Sequence, residues 1–139
     1  MKSKRDFPGE HLFNMYIIAT SAKFSAAHHL RNYRGRCEQT HGHNWKVDVH
    51  VAGDVPDKDG MIIDFSILKR KTNKILEALD HRDLNTIPYF KKQNPTAENI
   101  AKYIYDGLDT ILKRYRLNTI SVTVWESEDS RASYTRNPA

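Results

Sequence analysis

A chain of 139 residues, 39% hydrophobic and 28% charged, suits one ordinary domain with one core, and burying roughly two thirds of its unfolded surface needs no staples. Its single cysteine excludes an internal disulfide framework and fits a reducing cytoplasmic setting, while no apolar run approaches the ~20 residues of a membrane helix. The net charge of +5 favours an anionic ligand by long-range attraction, but the basic residues are scattered, without the aromatic-interleaved patch of a nucleic-acid reader. In chain order, residues 1–14 (MKSKRDFPGEHLFN) lack the apolar stretch of a secretory signal and read as a mobile arm, with Phe7 and Leu12 available to pin it against a neighbour. The domain proper is expected over residues 15–139. Residues 15–27 (MYIIATSAKFSAA) read as a strand leading into His28.

From His43 to Val51 the residues alternate, with Trp45, Val47, Val49 and Val51 on one face and Lys46, Asp48 and His50 on the other, which is the pattern of a half-buried antiparallel strand. Pro56 to Gly60 is a turn by composition, and Met61-Ile62-Ile63 leads out of it. Asp64 is placed to cap a helix whose stripe is Phe65, Leu68, Thr72, Ile75, Leu76 and Leu79. Residues 80–95 read as a loop. Thr96 caps a second helix with the stripe Ile100, Tyr103, Ile104, Leu108, Ile111, Leu112 and Tyr115. Residues 118–126 alternate again, with Ile120, Val122 and Val124 expected toward the helices, and Ala132 to Thr135 form a short last strand. The result is an α+β domain in the order β-β-α-α-β-β, a four-stranded antiparallel sheet with two helices on one face. Its other face (Lys46, Asp48, His50, Ser121, Thr123) is too polar for a second dry core, yet is not a plain charged surface. Several sheets joined edge to edge into a barrel with a wet interior would account for it and would remove the exposed edges.

The chemistry concentrates in four places. His41 and His43 flank one glycine, so on a strand both imidazoles point the same way. A third imidazole from the neighbouring strand, His28 or the adjacent His29, would complete a three-nitrogen site with an open fourth position, the pattern of a catalytic zinc. Local physics does not choose between His28 and His29. Cys37 stands among Arg34, Arg36, Glu38 and Gln39, in a polar loop where a thiolate can form beside cations and act as a base. Asp80-His81 pairs a carboxylate with an imidazole, as a proton relay requires. Glu126 ends an apolar strand, where it is either a solvent charge or a receptor whose two oxygens accept parallel N–H donors from the amidine-like edge of a pterin or guanine ring, and Thr96 at the helix start can add a polar contact. His11 and His50 are assigned no role.

Six segments carry a resemblance over residues 15–135: Phe24 to His28, Cys37-x-x-x-His41-Gly42-His43-Asn44-Trp45, Asp59 to Phe65, Leu79 to Asn85, Asn94 to Asn99, and Val124-Trp125-Glu126. Together the chain resembles the 6-pyruvoyltetrahydropterin synthase family, which includes the bacterial 6-carboxytetrahydropterin synthases of queuosine synthesis. The resemblance implies the tunnelling fold, zinc (Zn2+) on His28, His41 and His43, Cys37 as catalytic base, Asp80 and His81 as its relay, and Glu126 as the pterin anchor. It implies trimers whose sheets form a barrel, usually paired into hexamers, with active sites between subunits. The short Cys37-to-His41 spacing is similar to the bacterial 6-carboxy form. Glu38, in Glu38-x-x-His41-Gly42-His43, resembles relatives that cleave the side chain of dihydroneopterin substrates for folate synthesis, so Cys37 and Glu38 together resemble a dual-motif group. The expected activity is conversion of 7,8-dihydroneopterin triphosphate to 6-carboxy-5,6,7,8-tetrahydropterin, with acetaldehyde and triphosphate released. Lys23, Arg131 or Arg136 are expected, by charge and position, to meet the triphosphate. The alternatives are a 6-pyruvoyl product, a 6-hydroxymethyl product with Glu38 as base, and a zinc- or pterin-binding module without turnover.

Overall fold

The computed structural model describes residues 15–35 and 38–136. The expected N-terminal arm and Cys37 lie outside the described residues. Two long strands, β1 (Tyr16–His28) and β2 (His41–Gly53), pair antiparallel along their whole length, from Tyr16 opposite Gly53 to His28 opposite His41. Helix α1 (Phe65–Leu76), a two-residue strand β3 (Arg82–Asp83), helix α2 (Ala97–Leu112), and strands β4 (Asn118–Trp125) and β5 (Arg131–Thr135) follow. The sheet order is β3-β1-β2-β4-β5. The sheet therefore has five strands rather than the expected four: within the segment read as a loop, β3 runs parallel to β1 at Ala26 and Ala27. Two 3-10 turns, Leu84–Thr86 and Pro88–Lys91, occupy much of the remainder of that segment.

Both helices start where short polar side chains satisfy free backbone donors. Asp64 accepts the Ser66 N–H at 2.7 Å, and Thr96 accepts the Asn99 N–H at 3.1 Å. The helices cover one sheet face, α1 packing on β1 and α2 on β4 and β5. Between them Trp45, Val47, Val49, Val51, Leu68, Ile104 and Leu108 are fully buried. Gly107 lets the helices approach, since a Cβ there would sit 3.1 Å from the Ile75 side chain. Two residues depart from their expected places. Phe65, assigned to the α1 stripe, is 58% exposed. Ile120 does not face the core: the β2–β4 register shifts between His50 and Val51, leaving Ile120 as an extra residue, so Thr119 turns inward at 5% exposure instead. One inserted residue reverses the phase of a period-2 pattern, which is what a bulge does.

The alternation of β1 and β2 also places the histidines. Phe24 lies opposite Trp45 with stacked rings, and the same face continues through Ala26 opposite His43 to His28 opposite His41. The histidine cluster is thus the polar end of the core-facing row, and it does not lie on the open sheet face.

Candidate metal centre

The ligand nitrogens of His28, His41 and His43 all lie within 4.8 Å of one another. His28 is 2% exposed. Its Nδ1 lies 2.7 Å from the Pro95 carbonyl oxygen, and His41 Nδ1 lies 2.7 Å from the Gln39 carbonyl oxygen. A carbonyl only accepts, so both Nδ1 atoms carry the proton and both Nε2 atoms present lone pairs. Those two Nε2 atoms face each other at 3.0 Å, and His43 Nε2 is buried without a hydrogen-bond partner. Converging lone pairs repel unless a cation lies among them, so the donor set fits a metal ion. Two nitrogens bound at the ~2.0–2.1 Å of tetrahedral zinc would stand about 3.3 Å apart, close to the separation seen. Burial lowers the pKa of His28 and of His43, favouring the neutral rings that ligation needs. Trp45 stands edge-on to both rings, 4.9 Å from His28 and 5.1 Å from His43, and walls the cluster from the apolar core. Local physics left His28 and His29 open, and the resemblance pointed to His28: His28 lies in the cluster, and the His29 ring lies 3.4 Å from both Thr40 Oγ1 and Asn85 Nδ2.

Glu126 borders the cluster, 3.6 Å from His43 Nε2 and 4.0 Å from His28 Nε2. It is not part of the metal-spaced group among the described residues. Beside it, with Thr96, Glu98 and Arg131, lies a cavity of about 210 Å³. Ordinary ligand sites start near ~300 Å³, so this cavity is small for one. The Thr96 hydroxyl, which lines this cavity, accepts the first-turn N–H of α2 and retains its own proton as a donor.

Asp80 and His81 form the expected pair, Asp80 Oδ1 lying 3.0 Å from His81 Nδ1. They sit at the sheet edge, where Ser25 N–H donates to Asp80 Oδ1 at 2.9 Å and His81 N–H donates to the Ser25 carbonyl at 2.6 Å. The Ser25 hydrogen bond holds the Asp80 carboxyl below the usual aspartate range, reinforced by His81 and opposed by burial. His81 has a left-handed backbone (φ 58°) and its side chain is 83% exposed. A shallow cavity of about 420 Å³ runs from His43 and Asn44 past Ser25 to His81. Among the described residues no hydrogen bond joins the pair to the histidine cluster. Glu38 is exposed, its N–H donating to the Gly35 carbonyl at 3.2 Å.

Of the three basic candidates, Arg136 stands apart from the other two. Arg136 pairs with Asp106 at 2.6 Å and Asp109 at 3.7 Å, which pins the segment after β5 to α2. Lys23 and Arg131 share one rung with Lys46 and Trp125 on the open face, where the Arg131 guanidinium lies 4.4 Å from the Trp125 ring, and Arg131 also borders the cavity beside Glu126. Sequence reasoning missed Asn85, Asn94 and the Pro95 carbonyl, although the segments holding them were noted for their resemblance.

Among the described residues no helix is long and apolar enough to cross a membrane. The chain is 36% identical over 100 residues to a 6-carboxy-5,6,7,8-tetrahydropterin synthase from Synechocystis sp., covering 68% of this chain and 76% of the relative. It is 33% identical over 131 residues to human 6-pyruvoyl tetrahydrobiopterin synthase, covering 84% of this chain and 89% of that one. Its fold matches the solved 6-pyruvoyl tetrahydropterin synthase of Caenorhabditis elegans with a TM-score of 0.80 and 27% identity, over 88% of this chain and 96% of that chain. With the 6-pyruvoyl tetrahydropterin synthase profile matching residues 17–137, the chain belongs to that family, and its five-stranded sheet with two helices is the tunnelling fold.

Proposed function

We propose that this protein is a zinc-dependent lyase that converts 7,8-dihydroneopterin triphosphate and water to 6-carboxy-5,6,7,8-tetrahydropterin, acetaldehyde and triphosphate, supplying a precursor for 7-deazapurines such as queuosine in the cytoplasm. The observation that carries it is the convergence of three imidazole nitrogens on one point, two of them committed as lone-pair donors by Nδ1 contacts to carbonyls. A zinc ion there supplies a Lewis acid toward the hydroxyl and carbonyl oxygens of the pterin side chain. The remaining steps belong to side chains. Glu126, beside the cluster, accepts the paired N–H donors of the ring and so orients the side chain toward the histidines. Thr96 adds a hydroxyl at the same cavity. Cys37 takes the side-chain proton as thiolate, and His81, oriented by Asp80, carries protons to and from it. Glu38 is the base of a second outcome, cleavage to 6-hydroxymethyl-7,8-dihydropterin.

The active assembly is a trimer or a dimer of trimers. Three observations support it: β3 covers only Ala26 and Ala27 of the β1 edge, the open sheet face is polar, and the cavity beside Glu126 is undersized. In such an assembly His81 of one copy, and Lys23 or Arg131, reach a site that one chain leaves unfinished. Incubating the purified protein with 7,8-dihydroneopterin triphosphate and resolving the products tests the proposal. Release of triphosphate with the 6-carboxy product supports it; no triphosphate release contradicts it. Loss of only a hydroxymethyl product in Glu38→Ala would show two separable activities.

A further inference from the structure

Where β1 stops, two asparagine side chains continue its hydrogen bonding. Asn85 Oδ1 accepts the His29 N–H at 2.9 Å while its Nδ2 donates to the His29 carbonyl at 3.0 Å. Asn94 repeats the exchange on Arg31, accepting its N–H at 2.9 Å and donating to its carbonyl at 3.0 Å. Each side-chain amide reproduces the donor and acceptor of a strand residue, on alternate positions as a ladder requires. The asparagines lie 56 and 63 residues from the backbone they bind. No turn or cap needs such a pairing, so its purpose must be sought in what it holds in place.

It holds the segment around His28. The Asn94 carbonyl accepts two donors from the start of α2, the Thr96 N–H and Asn99 Nδ2, both at 2.8 Å. The next carbonyl in the chain, that of Pro95, receives His28 Nδ1 at 2.7 Å. A continuous set of bonds thus runs from the capped end of α2 through Asn94 to the His28 ring, and a second runs from Asn94 to Arg31, three residues beyond His28. Trp45 packs edge-on against the ring and fixes its tilt, but an apolar contact cannot select a tautomer. Only the Pro95 carbonyl does that, and Asn94 fixes where that carbonyl lies.

We propose that Asn94, with Asn85 in a lesser part, is a positioning residue for the metal centre and sets its affinity through the orientation and tautomer of His28. This rests on the reading that the histidine cluster holds a metal. Outer partners of ligating histidines characteristically change metal affinity ~10–100-fold when lost. Asn94→Asp is the sharpest variant. It keeps the shape and the acceptor for the Arg31 N–H, but sets an oxygen against the Arg31 carbonyl where an N–H donated.

The test is titration of the full chain, stripped by chelator, with Co2+ alone against a competing chelator, following the visible absorption of the bound ion. Asn94→Ala and Asn85→Asp are measured alongside. Tyr105→Phe serves as a control, because it removes a buried hydrogen bond to the Thr119 carbonyl, on the α2–β4 packing rather than around His28. The expected result is Co2+ affinity weakened ~10–100-fold in Asn94→Asp and Asn94→Ala and less in Asn85→Asp. Tyr105→Phe should melt at a lower temperature and bind as the wild type does. Wild-type affinity in both Asn94 variants overturns the proposal. So does affinity that simply follows metal-free melting temperature across the whole set, Tyr105→Phe included. A wild type that binds no Co2+ removes the metal reading itself and this proposal with it, whereas equal binding by wild type and both Asn94 variants removes this proposal alone.

Discussion

The two histidine-bearing ends of the sheet are built differently. At the core-side end His28, His41 and His43 project from paired strands, two of the rings are fixed by carbonyl contacts at 2.7 Å, and Trp45 closes the wall behind them. At the edge, the backbone of Asp80 and His81 is fixed just as firmly through Ser25, yet the His81 side chain is 83% exposed. The first region brings together, within one chain, three histidines whose spacing could hold a metal ion. The second presents an exposed imidazole that makes no hydrogen bond to the histidine cluster among the described residues. Local order and completeness are separate properties, and the proposed assembly is what would bring the two kinds of region together.

Breaking each region separately should therefore give different losses. His43→Ala removes the partnerless nitrogen of the cluster; bound metal should fall from about one per chain to near zero by elemental analysis, and turnover should vanish with it. His81→Ala should leave bound metal unchanged and lower turnover by ~10²–10⁴-fold, as for loss of a general acid–base. Mixing the two inactive variants after partial unfolding should restore part of the turnover, because mixed assemblies pair an intact cluster with an intact His81. If sites lie within single chains, the mixture stays inactive. The smallest effect falls on the open face, away from both regions. Burial pushes the Asp48 carboxyl up, but hydrogen bonds from Ser21 at 2.6 Å and the Trp125 indole at 2.8 Å, with Lys46, outweigh it and hold the pKa low. A depressed folded value means that Asp48 stabilises the fold above the ordinary aspartate range and that this contribution is lost as pH falls through the folded value. Asp48→Asn should cost about 1 kcal/mol near neutrality and flatten the acid limb of melting temperature against pH, with metal binding and turnover retained.

The sequence carried the parts of this that depend on short spacings. The alternation through Trp45, Val47, Val49 and Val51 located the core face of β2, and the His41-Gly42-His43 spacing put two imidazoles on that same face. Asp64 and Thr96 were legible as caps because capping acts within three residues. What escaped depends on contacts distant in sequence or on a single inserted residue. The bulge at Ile120 shows no local signature in an otherwise alternating run, and it exchanges Thr119 for Ile120 in the core. Two residues are too few for β3 to show periodicity. Resemblance aside, the residues themselves could separate His28 from His29 only once the β1–β2 register was known. Asn85 and Asn94 read as loop asparagines, since their meaning lies in backbone 56 and 63 residues away.

The ligand set of the histidine cluster is read most directly by X-ray absorption at the zinc edge of the zinc-loaded protein, with the His41→Ala, His43→Ala double variant as comparison. Three imidazole nitrogens and one further oxygen ligand, without sulfur, in the wild type, with no bound zinc in the variant, is the result expected from His28, His41 and His43. A sulfur ligand in the wild type, or zinc retained by the double variant, would place the metal elsewhere and contradict the metal centre described above.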